Sequence, residues 1–561
     1  MRFITNQPGI TLEQAIEVLL QPRKALAIDI ETVSIKNPLP LGIGVAISST
    51  VGYYFFNTKD PLLMEVVGQT PILPYHNCKF DMPLMRGMGY TINGYEDTKM
   101  LAYALGYMDT TLAGMSMEFL RPCPSVTDLW ESKDQGNINI DHVKLGQICM
   151  THAMNTYLLW EKLARTPLYE DIDKPCIELL IEMEKWGLLV DQYRLTQLEY
   201  EVYAKAKRLK MDLLDELGNI NLASNLQVAK ALQSKGILGT RKTKAGKDSV
   251  SDESLRPLNH PTANKILDWR SEMKTLTTYV PAFRNVDATG RMHTKFGYTS
   301  TGRWSSSDPN HQNLTRDEKF NGMTLRSCIA AEPGYTFVSL DASQIELRVV
   351  AILSQDPLML QALKEKDLHM ATAIQVFGYT DDVTLMKERR YNAKQLNFAI
   401  LYGADAEKVA EMAGCTIGEA EELIEQYFNT YRVLHRWIKG IHKGAKESGY
   451  VTNLFGRKRQ IPELISPNWR LREKGERESV NTIVQGTAVD IVKRMMLYLR
   501  GELSSQVRLV LQVHDEILWE TPLELLQHTL DTIAGMYPAF PDYPCTLKIG
   551  EYYGELKEVV L

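Results

Sequence analysis

The sequence predicts a multidomain protein of the mixed α+β and α/β class, and three observations support this prediction. The chain has 561 residues, a length that predicts three or four domains. Short apolar strands are frequent in its first third, and helical periodicity dominates the region that follows. Strands then return, and two of them end in aspartate. Helices and strands in such an order are typical of several mixed domains joined in one chain.

The composition argues against several classes of protein. Hydrophobic residues make up 44% of the chain, and no stretch has the apolar length that a bilayer-spanning helix needs. Residues 1–20 carry polar and acidic side chains where a signal peptide would have an apolar core. The seven cysteines form no Cys-x-x-Cys pair, so neither a disulfide framework nor a zinc site is indicated. We expect a cytoplasmic protein whose net charge of −6 still allows a local basic channel.

Two carboxylates end the first apolar strand of the chain. Residues 24–30 have the pattern of a buried strand, with Asp29 and Glu31 at its end. Because residues two apart in a strand face the same side, these carboxylates converge on one point. A third carboxylate, Asp81, follows a predicted turn. Such a cluster suits a hard divalent cation such as magnesium.

With residues 76–81, His-Asn-Cys-Lys-Phe-Asp, this pattern resembles the 3′-to-5′ exonuclease domain that accompanies many DNA polymerases. The resemblance implies four carboxylates, the fourth in a helix that opens with tyrosine and has aspartate four residues later. This chain has Ile148 and His152 at those positions, and Tyr157 where a histidine variant of the class keeps an aspartate. Imidazole is a poor replacement for an anionic ligand of a hard metal. The hypothesis is a retained fold with weak or absent hydrolysis.

The middle of the chain has helical patterns with clear ends. Residues 177–187 end in a glycine stop, and residues 221–232 and 263–279 give two further helices. A loop between the last two, residues 239–247, carries four cations among small residues. It is either a solvated tip or a contact for a phosphate backbone, and the loop alone leaves both readings open.

Residues 390–403 have a four-residue repeat. Arg390, Lys394, Phe398 and Tyr402 lie on one slowly winding stripe of a helix, and Gly403 stands where the helix needs a left-handed end. Two cations followed by two aromatic rings suit a nucleoside triphosphate. The alternative is a solvated basic turn beside an aromatic core stripe.

Two strands on either side of this helix in the sequence present an acid at one end. Residues 336–341 end in Asp341, and residues 507–520 form a predicted hairpin with His-Asp-Glu, including Asp515, at its tip. Apolar strands ending in aspartate can hold two metal ions close together. With the helix, they form a specific constellation.

Residues 341–348, 390–403 and 514–516 together resemble the three motifs of family A DNA polymerases, the bacterial DNA polymerase I and phage type. Ala342 replaces a residue that is often tyrosine in this family, but the position is expected to bind metal through its carbonyl. A 5′ nuclease domain would need a few hundred more residues at the N-terminus, and none is expected here.

The resemblance implies roles for the matching positions. Asp341, Asp515 and Lys394 are the expected catalytic residues, and Asp341, Ala342 and Asp515 the metal ligands. Contacts to the incoming nucleotide are expected from Gln344, Glu346, His369, Arg390, Lys394, Phe398 and Tyr402. Contacts to DNA are expected from Arg270, Lys274, Arg303, Asn313, Arg457, Asn481, Gln485 and His514. The exonuclease metal ligands, of doubtful activity, are Asp29, Glu31 and Asp81.

The resemblance also implies the domain organisation. Residues 1–166 are expected to form a ribonuclease-H-like exonuclease domain, and residues 167–561 a polymerase domain shaped like a right hand. The expected divisions of the hand are a thumb at about 175–285, a palm at about 286–365 and 446–561, and fingers at about 366–445.

The implied activity is extension of a primer 3′ end with dNTPs on a DNA template, in bacterial or phage DNA replication. Two Mg²⁺ ions are the implied cofactors, with Mn²⁺ as a substitute. Primer-template DNA and dNTPs are the implied partners of a cytoplasmic monomer without a membrane partner. A helicase, a primase or a single-strand binding protein would be replisome partners, which the sequence does not identify.

Three other functions compete with this one. A repair or bypass polymerase of the same family would fit the doubtful exonuclease. A single-subunit RNA polymerase shares the aspartates, but Gln344 and Glu346 fit a deoxyribonucleotide enzyme better. A non-catalytic DNA-binding scaffold would be expected to have lost Asp341 or Asp515, and this chain has both.

Phe398 supplies the first testable prediction. The resemblance places its ring at the sugar of the incoming nucleotide, where a phenylalanine lacks the hydroxyl of tyrosine. Phe398→Tyr is therefore expected to relax discrimination against dideoxynucleotides, measured as chain termination at a fixed ratio of dideoxynucleotide to deoxynucleotide. Unchanged termination would contradict the placement of Phe398 at the sugar.

Overall fold

The computed structural model describes residues 2–33, 38–125, 141–237, 246, 248–315, 318–364, 367–401 and 403–560, without the side chains of residues 398 and 401. Tyr402, the side chain of Phe398 and all of the basic loop at 239–247 except Gly246 lie outside this description. Within the described ranges, no helix combines the length and the apolar character needed to cross a bilayer.

The N-terminal part is built on an antiparallel sheet with strand order β1-β4-β3-β2. A 21-residue helix, α6, packs across its strands β2, β3 and β4. A parallel pair, β5 and β6, extends this part beside β2. The elements are β1 (Phe3–Thr5), α1 (Leu12–Leu20), β2 (Ala27–Thr32), β3 (Pro40–Ala46), β4 (Gly52–Phe55), α2 (Pro61–Gln69), β5 (Leu73–Tyr75), α3 (Cys78–Gly87), β6 (Tyr95–Asp97), α4 (Thr98–Ala104), α5 (Leu112–Glu118) and α6 (His142–Lys162).

The middle part is mostly helical, with short strands at its base. As predicted, the helix that begins at Pro175 ends at a glycine, since Gly187 has a φ of 58°. The elements are α7 (Pro175–Trp186), β7 (Leu188–Val190), α8 (Gln192–Leu217), α9 (Asn225–Ser234), α10 (Asp252–Leu255), α11 (Pro261–Lys274), α12 (Val280–Arg284), β8 (Arg291–Met292), β9 (Lys295–Tyr298), β10 (Trp304–Ser307) and β11 (Ile329–Ala330).

The C-terminal part contains a five-stranded antiparallel sheet with strand order β15-β16-β12-β17-β18. Helix α13 packs on the 34-residue helix α20, and a helical segment separates β12 from the hairpin β15–β16. The elements are β12 (Tyr335–Ala342), α13 (Ile345–Ser354), α14 (Pro357–Ala362), α15 (Leu368–Phe377), α16 (Val383–Leu401), α17 (Ala406–Ala413), α18 (Ile417–Thr430), α19 (Arg432–Ser448), β13 (Tyr450–Thr452), β14 (Lys458–Gln460), α20 (Trp469–Glu502), β15 (Arg508–Val513), β16 (Glu516–Pro522), α21 (Leu526–Met536), β17 (Cys545–Gly550) and β18 (Lys557–Val559).

The sequence predictions of the key elements are confirmed. The strand that ends in Asp341 is β12, and the predicted hairpin is β15–β16. The helix with the four-residue repeat is α16, and Gly403 follows it with a φ of 61°. A Cβ at Gly403 would also lie 2.5 Å from Cγ of Arg477, so both conformation and space require glycine there.

Candidate active site

Asp341 and Asp515 meet at one edge of the C-terminal sheet. The antiparallel register pairs Asp341 with Glu516, and the backbone N–H of Ala342 donates to the carbonyl of Asp515 at 3.1 Å. Asp515 lies in the tight turn between β15 and β16, where His514 has a φ of 54°. Strand pairing therefore brings together two acids that are far apart in the sequence.

Glu516, the neighbour of Asp515, holds this turn in place. Its carboxylate accepts hydrogen bonds from Ser339 Oγ at 2.7 Å and from Tyr553 Oη at 3.0 Å. Glu516 is only 6% exposed, so its carboxylate contacts groups inside the protein. Asp515, in contrast, lines a cleft. The cleft has a volume of about 360 Å³, and its lining includes Asn313 and His514.

Several carboxylates lie close together in the cleft and affect one another's pKa values. Burial, with the nearby charges of Glu346 and Asp341, raises the pKa of Asp515 to about 7, although Arg303 opposes the shift. Arg303 forms an ion pair with Glu346, a buried residue in the first turn of α13. Gln344 caps the same helix in a left-handed conformation, and its Oε1 is buried without a hydrogen-bond partner in the described part of the chain.

These acids suit a divalent metal ion. Carboxylate oxygens from two strand ends and the nearby carbonyl of Ala342 form a set of hard donors. The raised pKa of Asp515 reflects burial first and then repulsion from Glu346 and Asp341. A bound cation would compensate this repulsion.

Helices α15 and α16 carry the predicted triphosphate contacts. Arg390 Nε donates to the carboxylate of Asp367 at 2.6 Å, which ties α16 to the start of α15. The side chain of Lys394 is exposed one helical turn further on. Arg390 and Lys394 therefore present adjacent cations, as the four-residue spacing predicts.

His369 is the third predicted phosphate contact, and a buried network orients it. Burial lowers its pKa to about 4, although Asp367 opposes the shift. Asn397 Nδ2 donates to His369 Nδ1 at 3.1 Å and to Thr372 Oγ1 at 3.1 Å, while Tyr427 Oη donates to Asn397 Oδ1 at 3.0 Å. Because Nδ1 accepts, the neutral ring carries its hydrogen on Nε2.

Four other predicted DNA contacts lie on two helices, α11 and α20. Arg270 on α11 donates to the Val250 carbonyl and to Asn225, and Lys274 is exposed with its ammonium 5.5 Å from the ring of Tyr279. Asn481 is half-buried on α20, and Gln485, one turn later, is 7% exposed. Their roles toward DNA stay predictions.

Arg457 corrects a prediction. It was expected to contact the template, but it is 2% exposed and lies between two buried aspartates. Its guanidinium donates to both carboxylate oxygens of Asp173, at 2.7 and 3.0 Å, and to those of Asp490 at the same distances. Lys493 joins this cluster at 3.4 Å from Asp173. Arg457 therefore joins three segments of the interior and does not face a nucleic-acid surface.

The N-terminal acids also converge as predicted, and His152 takes a place beside them. His152 Nδ1 lies 3.5 Å from an oxygen of Asp29 and 3.5 Å from one of Glu31. Asp81 is 6% exposed, and burial with the charges of Asp29, Asp97 and Glu31 raises its pKa well above the usual range.

His152 responds to the same acids in the opposite sense. Burial alone would lower its pKa, but contacts with Asp29, Cys123 and Glu31 outweigh burial and raise it.

Sequence reasoning missed Asn397, Asp173 and Asp490 as residues that position others. A signal for Asn397 exists, because it is a polar residue on the face of α16 that also carries Ala393 and Ile400, both buried. Asp173 and Asp490 give no comparable signal, since their partner Arg457 comes from a distant segment.

Acids that meet at a sheet edge, in a chain that also has a helix bearing arginine and lysine, are typical of one class of proteins, the nucleic acid polymerases. Residues 192–540, more than half of the chain, match the family model described as DNA polymerase family A. The chain therefore belongs to DNA polymerase family A. Members of this family use divalent metal ions.

Individual relatives agree with this assignment. The thermostable DNA polymerase I of Thermus thermophilus is 34% identical over 480 residues, which cover 82% of this chain and 56% of the relative. DNA polymerase I of Rhizobium leguminosarum is 31% identical over 488 residues, 82% of this chain and 48% of the relative. The chain thus spans about half the length of the curated relatives it matches.

A solved structure resembles nearly the whole chain. It is the POL domain of Pol1 from M. smegmatis in complex with DNA primer-template and dNTP. The similarity has a TM-score of 0.83 at 26% identity and covers 98% of both chains.

Proposed function

We propose that this protein is a DNA-templated DNA polymerase that adds dNTPs to a primer 3′ end, in bacterial or phage DNA replication. The observation that carries the proposal is the meeting of Asp341 and Asp515 at one sheet edge in a family A chain. The relative solved with primer-template and dNTP supports the same partners for this chain. We further propose a cytoplasmic monomer.

In this proposal, Asp341, Asp515 and the carbonyl of Ala342 hold two Mg²⁺ ions, with Mn²⁺ as a substitute. Bound there, the ions would lower the pKa of the primer 3′-hydroxyl and neutralise charge on the departing pyrophosphate. Side chains of the protein would position the substrates and compensate the negative charge of the triphosphate.

Those side chains have separate tasks. Arg390 and Lys394 supply fixed positive charge for the triphosphate, and His369 offers a neutral Nε2–H as a hydrogen-bond donor. Glu346, held by Arg303, restricts the space near the sugar 2′ position and so disfavours ribonucleotides. Asn313 and His514, which line the cleft beside Asp515, would contact the minor groove of the primer-template.

We propose the domain division predicted from the sequence, with an exonuclease-like domain at residues 1–166 and a polymerase domain at residues 167–561. The five-stranded sheet would belong to the palm, α8–α11 to the thumb and α15–α19 to the fingers. The antiparallel sheet covered by α6 supports a ribonuclease-H-like unit at the N-terminus.

The experiment that tests the function is primer extension and primer degradation measured side by side. Matched and mismatched primer ends are each incubated with Mg²⁺ or Mn²⁺, with dNTPs or with ribonucleotides alone. Template-directed extension with dNTPs is expected, and its absence under all conditions would overturn the proposal. Equal extension with ribonucleotides alone would instead favour an RNA polymerase.

Asp515 predicts how metal use depends on pH. With a pKa of about 7 in the metal-free protein, Asp515 must lose a proton to bind a cation at lower pH. The Mg²⁺ concentration for half-maximal extension should therefore rise roughly tenfold for each pH unit below 7 and level off above it. Titrating Mg²⁺ at pH 6, 7 and 8 measures this, and a flat response would contradict it.

We propose that the N-terminal domain hydrolyses DNA weakly or not at all, because His152 occupies the position of the fourth carboxylate. His152→Asp should restore an anionic ligand beside Asp29 and Glu31 and raise nucleotide release from a mismatched primer by roughly a hundredfold. His152→Asn is the matched control, since it removes the ring without adding charge. Brisk release by the unaltered protein would contradict the hypothesis.

A further inference from the structure

Helix α19 carries a single row of cations along its exposed side. The row, which we call the α19 stripe, consists of five exposed residues, Arg432, Arg436, Lys439, Lys443 and Lys446. Alternating steps of four and three residues keep all five on one narrow strip of the helix surface. A rise of roughly 1.5 Å per residue makes the stripe roughly 21 Å long.

The opposite side of α19 is buried, so the position of the stripe is fixed. Leu434 and Ala445 are 1% and 2% exposed. The carboxylate of Asp356, itself 1% exposed, accepts hydrogen bonds from the backbone N–H groups of Val433 and Leu434 at 3.0 and 3.1 Å. Basic amphipathic helices that bind membranes do so through a free apolar face. The apolar side of α19 packs inside the protein, so a lipid surface does not fit this helix.

Most of the charge on the stripe is not balanced by acids. In the described part of the chain, Arg436, Lys439 and Lys443 form no ion pair, while Lys446 pairs with Glu476 at 2.5 Å. The neighbouring helix α18 has four glutamates and no cation, yet no described ion pair joins it to α19. Like charges three or four residues apart destabilise a helix, and cations near its N-terminus oppose the helix dipole. A polyanion bound along the stripe would offset both effects.

One end of the stripe lies close to the candidate active site. Lys446 pairs with Glu476, and the next residue, Arg477, packs against Gly403, where a Cβ would lie 2.5 Å from Cγ of Arg477. Gly403 follows α16, the helix that carries the proposed triphosphate contacts. Those contacts lie further toward the start of α16, so the end at Gly403 points away from the phosphates, toward the nascent base pair and the template.

We propose that the α19 stripe binds the phosphates of the template strand ahead of the active site, before that strand is copied. The inference rests on the proposed polymerase function and adds a contact surface to it. A single row of cations follows one strand, and a phosphate every 3.4 Å or so gives roughly six phosphates over the length of the stripe. Contacts to phosphates carry no sequence information, so the stripe would hold any template.

Binding of two primer-templates tests the proposal. They differ only in the uncopied 5′ template, which is either a long oligo-dT overhang or a single nucleotide, and binding is measured by fluorescence anisotropy without dNTPs. Arg436→Ala/Lys439→Ala/Lys443→Ala should bind the long-overhang DNA at least roughly tenfold more weakly at low salt. The slope of log affinity against log salt should become shallower by roughly two, while affinity for the single-nucleotide overhang should stay within about twofold.

Lys59→Ala/Lys162→Ala/Lys557→Ala is the matched control. It removes the same charge from three exposed positions elsewhere and should bind both DNAs like the unaltered protein. Because alanine favours helix and the repulsion between like charges is lost, the stripe variant should unfold at the same temperature as the unaltered protein or a higher one. Circular dichroism measures this, and a lower unfolding temperature, as a structural role of the stripe would produce, would contradict the proposal.

Three binding results would overturn the stripe proposal alone. They are equal affinity of the stripe variant and the unaltered protein for the long overhang, equal weakening on both DNAs, and loss of binding to a polyglutamate peptide with DNA binding intact. The last result would indicate an acidic protein partner instead. Primer extension by the unaltered protein tests the polymerase function itself, so the two proposals can fail separately.

Discussion

Asp341→Ala is expected to lower the rate of primer extension by roughly a thousandfold or more, because in the proposed mechanism metal ions bound at this edge would supply several kcal/mol of transition-state stabilisation. Asp341 is the acid at the end of β12, and β12 pairs with both β16 and β17. Since the strand is held on both sides, the substitution should leave the sheet intact. Single-turnover extension on a matched primer-template measures the effect.

Binding of DNA separates a chemical defect from a structural one. Primer-template affinity of Asp341→Ala, measured by fluorescence anisotropy, should stay within about twofold of the unaltered protein, since the proposed DNA contacts are made by other residues. Asp531→Ala is the matched control, because Asp531 is exposed on α21 and should extend normally. Normal extension by Asp341→Ala would overturn the assignment of the metal ligands.

Arg457→Ala is expected to destabilise the protein by about 3–5 kcal/mol, because it leaves buried charge without a partner. Asp173 and Asp490 are 1% and 0% exposed, and each accepts two hydrogen bonds from Arg457. After the substitution, Lys493 would remain 3.4 Å from Asp173 and 3.6 Å from Asp490, and Asn453 would still donate to Asp490, which leaves two carboxylates with a single cation. Urea unfolding followed by circular dichroism measures the loss.

The same variant tests the corrected role of Arg457. Affinity for primer-template, measured well below the unfolding transition, should be nearly unchanged because the guanidinium does not reach the surface. Arg459→Ala, two residues away, is the control. Arg459 also forms an ion pair, with Glu478, but its side chain is 20% exposed. Unchanged stability with a large loss of DNA affinity would restore the original prediction of a template contact.

The sheet edge and the cationic helix could be predicted because their signals are local. Apolar runs that end in Asp341 or surround Asp515 indicate strands that present an acid, and a four-residue repeat places Arg390 and Lys394 on one helix face. These patterns depend only on residues that are close in the sequence, so they can be recognised without knowledge of the tertiary packing. The predicted roles of individual residues toward nucleotide and DNA remain predictions.

The sequence by itself determined the elements, their order and the family resemblance, because strand alternation, helical repeat and motif spacing are properties of contiguous residues. Only the tertiary structure decided that Arg457 is an interior ion-pair partner, that Asn397 sets the tautomer of His369, and that His152 faces two acids. Each of these depends on a contact between distant segments. Burial and hydrogen-bonding or ionic partners determine how much a charged or polar side chain stabilises or destabilises the protein. Both are set by the folded structure and not by neighbouring residues in the sequence.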